Sequence, residues 1–140
     1  MKNLTIIYNS EIQLSSSDID QFEKDYKIQL PLNFKNFIIK YAGTIVKEIF
    51  FNGQPQLHQF LYLRKHELGA SIESIMEGYE FYDYKEWLPF AIDAGGWVFN
   101  FSLHSDTFGQ VWIDKFDSGE ENPFHFVSNS FEEFIEGLTD

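Results

Sequence analysis

The chain has 140 residues, of which 44% are hydrophobic and 19% aromatic, sixteen of them Phe; that is enough for one ordinary domain with a ring-rich core. It has no cysteine, which excludes disulfides and thiolate metal sites and makes cytoplasmic residence the expectation. Ten Lys and Arg against 22 Asp and Glu give a formal charge of −12, a balance that repels nucleic acid and anionic lipid and attracts basic partners. Residues 4–8 are too short an apolar run for a secretory signal, and nothing approaches the length of a membrane span.

In chain order, residues 4–8 read as a short first strand or an ordered arm. The Ser15-Ser16-Ser17 run offers an N-cap, worth about 1 kcal/mol. Asp18 and Asp20 then fall in a first turn where the helix dipole favours negative charge. Ile19, Phe22 and Tyr26 recur at three and four residues and predict a buried stripe. Pro31 suits the first position of a second helix. Phe34, Phe37, Ile38 and Tyr41 give its apolar face, and Gly43 its stop.

Residues 45–51 read as one strand ending in the Asn52-Gly53 turn signal. Pro55 argues against a central strand directly after it, and residues 60–63 read as the next strand. A third helix is expected over 71–79, with Ile72, Ile75, Met76 and Tyr79 as its stripe. Residues 77–86 then read as a loop of alternating acids and rings. Residues 88–114 carry the sheet signal: Leu88, Phe90 and Ile92 alternate, and the chain turns through Ala94-Gly95-Gly96. Val98, Phe99 and Phe101 follow, then Val111, Trp112 and Ile113. Residues 117–122 read as a solvated turn ahead of 124–127. The last helix starts at Ser130, with Glu133 completing a capping box and Phe131, Phe134, Ile135 and Leu138 buried. The expected fold is α+β, one domain over 1–140 with its core at about 16–138. Its antiparallel sheet has about five or six strands and helices packed on it.

Few residue sets resemble a chemical site. Gly95-Gly96 lacks the further glycines, the Lys and the following helix of a phosphate loop, and reads as a hairpin turn. His104, Ser105 and Asp106 are consecutive, so they cannot face one another as a triad does. Asp114, Asp117, Glu120 and Glu121 do not have calcium-loop spacing and read as a solvated acidic turn. His58, His66, His104 and His125 show no ligand spacing. No catalytic residue, cofactor or metal is expected.

The informative stretch is 77–87. Tyr and Trp give large contact area for little rotamer loss, and carboxylates between them pair with a basic partner and speed encounter. The expected partner-binding set is Glu77, Tyr79, Glu80, Tyr82, Asp83, Tyr84 and Glu86. The competing reading, that the rings (with Phe81 and Trp87) cover the core while the acids face water, stays open at this level.

Several motifs, in order, resemble a known family. Phe22-Glu23 lies within a helix, Leu30-Pro31 precedes an aromatic helix, and Gly43 ends it. Leu88-Pro89-Phe90-Ala91, Gly95-Gly96 and Gly109-Gln110-Val111-Trp112 follow. Ser130-Phe131-Glu132-Glu133-Phe134 with Gly137-Leu138 closes the series. This resembles the SUKH superfamily, which includes the fungal Smi/Knr cell-wall regulators and many bacterial immunity proteins of polymorphic toxin systems. The resemblance runs from about Ser16 to Leu138. It implies an α+β fold with a bent sheet, no catalytic residues, and a role in binding and neutralising a cognate toxin, often a nuclease. The chain departs from the family pattern at two turns, lacking an Asn before Gly43 and carrying Trp97 where an Asp is common.

The leading expectation is therefore a cytoplasmic immunity protein that occludes a basic, nuclease-type protein toxin through an acidic, Tyr-rich surface, with neither nucleic acid nor membrane as partner. The second is a regulatory or structural interaction module without a toxin. The third is a small enzyme using acids such as Asp93 and Asp106 as an acid/base pair.

Overall fold

The helix starts follow local capping chemistry. The computed structural model describes the backbone of residues 1–140 and all side chains except those of Gln54 and Pro55. Helix α1 (Ser16–Tyr26) begins at Ser15, whose hydroxyl accepts from the Asp18 N–H. The Asp18 carboxylate accepts in return from the Ser15 N–H at 2.8 Å, so two donors left open by the first turn are satisfied. Helix α2 (Leu32–Tyr41) starts one residue later than expected, because Pro31 has an extended ψ of 137° and serves as the cap. Helix α3 (Ile72–Phe81) is capped by Ser71 and runs on to Phe81, so the expected loop is helical over its first half. Helix α4 (Phe131–Glu136) is capped by Ser130. The Glu133 carboxylate reaches the Asn129 N–H at 3.2 Å instead of the Ser130 N–H, so only the serine half of the expected capping box forms.

Ten strands accompany these helices: β1 (Ile6–Tyr8), β2 (Ile45–Val46), β3 (Phe50–Phe51), β4 (Gln54–Pro55), β5 (Leu57–Phe60), β6 (Trp87–Asp93), β7 (Val98–Ser102), β8 (Val111–Asp114), β9 (Phe124–Ser128) and β10 (Leu138–Thr139). The main sheet is the antiparallel meander β5-β6-β7-β8-β9, which includes the hairpin read from residues 88–114. At its turn, Asp93 Oδ1 accepts from the Gly95 and Trp97 N–H groups at 2.8 Å each.

The expected strand over 45–51 is two strands with different partners. β2 pairs with β1, and β3 pairs with β10 and β4. Between them the Glu48 carboxylate accepts from the Thr5 N–H and hydroxyl at 2.7 and 2.9 Å, which turns the chain aside. The Asn52-Gly53 turn forms as expected, with φ of 54° and 75°. The strand expected at 60–63 lies earlier, at β5, and Tyr62 keeps a single bridge to Ser71.

The two faces of the main sheet differ. Leu88, Phe90, Phe99, Phe101, Val111 and Ile113 share the core face by register. α2 and α4 cover it ring on ring: Phe34 meets Phe101 at 5.0 Å, Phe37 meets Phe131 at 4.8 Å and Phe99 meets Phe134 at 5.2 Å. Edge-to-face and offset pairs of this kind add about 0.5–1.5 kcal/mol each beyond burial. Leu4 packs in the same core, so packing reaches ahead of residue 16. The opposite face presents Trp87, Asn100, Trp112, Asp114, Phe124 and Phe126. α3 lies against only part of it. Among the described residues no helix is long and apolar enough to cross a membrane.

Candidate protein-interaction surface

The surface is built where α3 ends and β6 begins. A helix advances about 100° per residue, so Phe81, nine residues after Ile72, points away from the Ile72–Tyr79 stripe. It is 85% exposed. The next residues turn through Asp83, which adopts φ 61°. That turn lays Tyr82, 67% exposed, beside Tyr84 with ring centroids 5.9 Å apart.

From there the rings continue without a break onto the open sheet face. Phe81 touches Tyr82 at 5.2 Å, and Tyr84 meets Phe124 edge-on at 5.4 Å. Phe124 stacks on Trp87 at 4.2 Å with planes 5° apart. Trp87 meets Trp112 at 5.7 Å, and Trp112 meets Phe126 at 5.7 Å. Phe126, on edge strand β9, is 50% exposed. Phe81, Tyr82 and Phe126 are exposed, Tyr84, Trp87 and Trp112 are half-buried and Phe124 is buried beneath them; a contiguous run of this kind marks an interaction surface more readily than scattered apolar residues do.

Carboxylates border the first half of this run. Glu77 pairs with Lys65 at 2.9 Å, Asp83 with Lys85 at 3.4 Å and Glu86 with His104 Nε2 at 3.0 Å. Glu80 is exposed and makes no ion pair among the described residues. Exposed pairs like these hold their partners by only about 0–1 kcal/mol, so the acids are free to exchange them for cations on another molecule.

Of the seven residues expected to bind a partner, the structure places Glu77, Glu80, Tyr82, Asp83 and Glu86 on the surface and Tyr84 half-buried. Tyr79 differs: it is 8% exposed and lies beneath the others. Its hydroxyl donates to Asp114 Oδ2 at 2.9 Å and accepts from Asn100 Nδ2 at 2.9 Å. As the fourth member of the α3 stripe it faces the sheet and supports the surface from below. Burial raises the Tyr79 phenol well above its ordinary value, and the Asp114 charge adds to the effect. Burial likewise pushes the Asp114 carboxyl up, against the pull of the Tyr79 hydrogen bond.

The reading of the 77–87 rings as core cover is thus split residue by residue. It describes Tyr79 and fails for Phe81. The residues missed at the sequence level are Phe81, Trp112, Phe124, Phe126 and Asp114. Helical spacing was the available signal for Phe81. The two-residue period was the signal for Trp112, which must face opposite to Val111 and Ile113.

The other residue sets fall in separate places. His104, Ser105 and Asp106 are exposed in the β7–β8 connection. Asp93 is the last residue of β6, so Asp93 and Asp106 are divided by the length of β7, about 16 Å. Asp114 is an interior strand residue, not part of a solvated acidic turn, and Glu120 pairs with His125 at 2.6 Å. Among the described residues no three His, Asp or Glu side chains are grouped to hold a metal ion.

The fold is that of a small α+β protein, with helices packed on a five-stranded antiparallel sheet. The chain belongs to the SMI1/KNR4 family (SUKH-1), which it matches over residues 13–137. That family supports an immunity-protein-like role and a protein partner in general terms, and its members are generally non-enzymatic. No curated protein matches the chain.

Proposed function

We propose that this protein is a cytoplasmic immunity protein that binds and neutralises a cognate protein toxin, a basic domain of the nuclease type, by covering its working surface. The observation that carries the reading is the continuous run of rings from Phe81 to Phe126, exposed at Phe81, Tyr82 and Phe126 and with carboxylates along its rim, on a chain of net charge −12. Rings of this kind supply contact area at low entropy cost. The carboxylates of Glu80, Asp83 and Glu86 take the place of nucleic-acid phosphates at the toxin's cationic groove, which speeds encounter and fixes orientation. The same charge repels nucleic acid and anionic membrane from this protein. No covalent step is required, since occupancy alone blocks the toxin.

The test uses the protein encoded beside this chain's gene when that neighbour is a toxin. Glu80→Lys, Asp83→Lys and Glu86→Lys together should slow association at least tenfold, flatten its salt dependence and abolish protection on co-expression. Full protection by the folded triple variant overturns the surface assignment. The family also contains regulators, so a gene neighbourhood with no toxin favours a regulatory interaction module using the same face.

A further inference from the structure

Beside the ring-lined face, α3 and the sheet enclose a cleft of about 600 Å³, within the range of sites that hold small groups. Its walls are mainly apolar, with Ile75 and Val98 on opposite sides and Tyr82, Tyr84 and Phe116 supplying rings. Asp114 forms part of the same wall and is 2% exposed. Its Oδ2 accepts from Tyr79, but its Oδ1 is buried with no hydrogen-bond partner.

The neighbouring polar chain has a fixed direction. Tyr79 gives its only proton to Asp114, so Asn100 must turn its Nδ2 toward the phenol oxygen, as observed at 2.9 Å. This leaves Asn100 Oδ1 buried and unpartnered as well. Both orphaned atoms are acceptors, so the cluster lacks donors and positive charge. A buried carboxylate without a cation is costly to the fold.

Three of the chain's own cations are placed elsewhere. Its single arginine, Arg64, binds Asp25 and Glu73. Lys115, next to Asp114 in sequence, lies over the Trp97 ring at 5.0 Å, and Lys85 sits on Asp83.

From this geometry we infer that the cleft is an anchoring pocket for one arginine side chain of the protein partner, whose guanidinium binds Asp114 while its stem packs between Ile75 and Val98. Charge complementarity selects the cation. Guanidinium is favoured over ammonium because it is weakly hydrated, stacks on tyrosine faces and offers several donors in a plane. Buried arginine anchors are also frequent interface hot spots. The inference rests on the docking reading above, and names the residue type that reading leaves open.

The experiment separates the two. The intact protein is titrated with n-butylguanidinium chloride, n-butylammonium chloride and neutral n-butylurea, followed through the backbone amide NMR shifts of Gly78 and Gly96, both on the cleft wall. A saturable response to butylguanidinium, at least fivefold stronger than to either comparator and absent in folded Asp114→Asn, is expected. An equal or stronger response to butylammonium overturns the arginine assignment, an equal response to butylurea overturns the role of charge, and no saturation overturns the pocket. If Asp114→Asn does not fold, Ile75→Trp fills the cleft from its half-buried α3 wall and should abolish the same response. With the toxin in hand, Asp114→Asn should weaken binding tenfold or more. Unchanged toxin affinity in that variant rejects the anchor but leaves the rim-charge reading intact, whereas a failed triple-lysine test rejects the docking face whatever the small cation does.

Discussion

The hydroxyl of Tyr79 lies 2.9 Å from Oδ2 of Asp114, joining the α3 helix to strand β8 beneath the exposed ring surface. Asn100 Nδ2 donates to the Tyr79 phenol oxygen, so one phenol links the helix to two strands. Tyr79→Phe keeps the ring in place against Tyr84 and Phe124 but removes the only side-chain donor, among the described residues, to a buried carboxylate. The expected cost is about 1–3 kcal/mol, measured as a lower urea midpoint with unchanged slope.

Asp114 itself should limit stability at neutral pH. Burial holds its folded-state pKa above the unfolded value, so the native state binds more protons across the interval between the two. Stability contributed by this group is present in acid and falls as pH rises through that interval. Asp114→Asn, which cannot ionise, is expected to melt higher than the parent at pH 7, with the difference vanishing near pH 3. A variant less stable at both pH values would show that the carboxylate makes favourable contacts when charged. The gain at neutral pH, set beside the expected loss of cation binding, is the trade of stability for function that binding sites commonly show.

Much of the architecture could be read from periodicity because one-sided burial writes itself into the chain. The stripes of α1 to α4 and the alternation at Leu88, Phe90, Phe99 and Phe101 are direct records of which side meets the core. The 45–51 segment was read as one strand because pattern registers apolar character but not the identity of the pairing strand. The switch from β1 to β10 depends on Glu48 reaching Thr5, a contact 43 residues away in sequence. The acids of the site were visible as composition. The sheet half of the surface was not, because Trp112 and Phe126 acquire their meaning only when β8 and β9 are placed beside Trp87. Asp114 was the least legible: nothing local distinguishes a buried carboxylate from the exposed Asp117 three residues on.

Gly43 is required by both its backbone and its neighbour. It adopts φ 71° after α2, and an added Cβ would fall inside van der Waals contact of the Tyr62 ring. Tyr62 is itself buried and cannot withdraw cheaply. Gly43→Ala should destabilise by about 2–4 kcal/mol, combining left-handed strain with overpacking. By contrast Gly53, also at positive φ but in open space, should lose only about 1 kcal/mol on the same change.

Arg64 clamps α1 to α3. Its guanidinium binds Asp25 Oδ2 at 2.5 Å and Glu73 Oε2 at 2.9 Å, with the Phe22 ring 5.0 Å away. Glu73 also accepts from Tyr26 at 2.7 Å and from the Lys65 N–H at 3.1 Å. Burial alone would raise the Glu73 carboxyl, but these donors outweigh it and hold the group below its ordinary value. Burial and the bond to Glu73 push the Tyr26 phenol up to about 12. For a carboxyl depressed in the folded state, the stabilisation is present above its unfolded pKa and is lost as pH falls through the folded one. Glu73→Gln is therefore expected to cost about 1–2 kcal/mol at pH 7 and almost nothing near pH 2, by chemical denaturation at each pH.

Phe81 offers the cleanest separation of binding from folding. It is the most exposed large apolar side chain of the surface and touches little of the protein besides Tyr82. A surface change of this kind moves stability within about 0.5 kcal/mol, while loss of an aromatic anchor at an interface weakens association by about 1–2 kcal/mol or more. Phe81→Ser should leave the melting temperature unchanged, while the complex with the proposed protein partner should dissociate at least tenfold faster by surface plasmon resonance. Trp112→Ser, on the sheet half of the same run, should also speed dissociation if the partner spans both halves, with some loss of stability because this ring is half-buried. A defect confined to Phe81 would restrict the footprint to the end of α3 and the turn through Asp83, and one confined to Trp112 would move it onto the open sheet face.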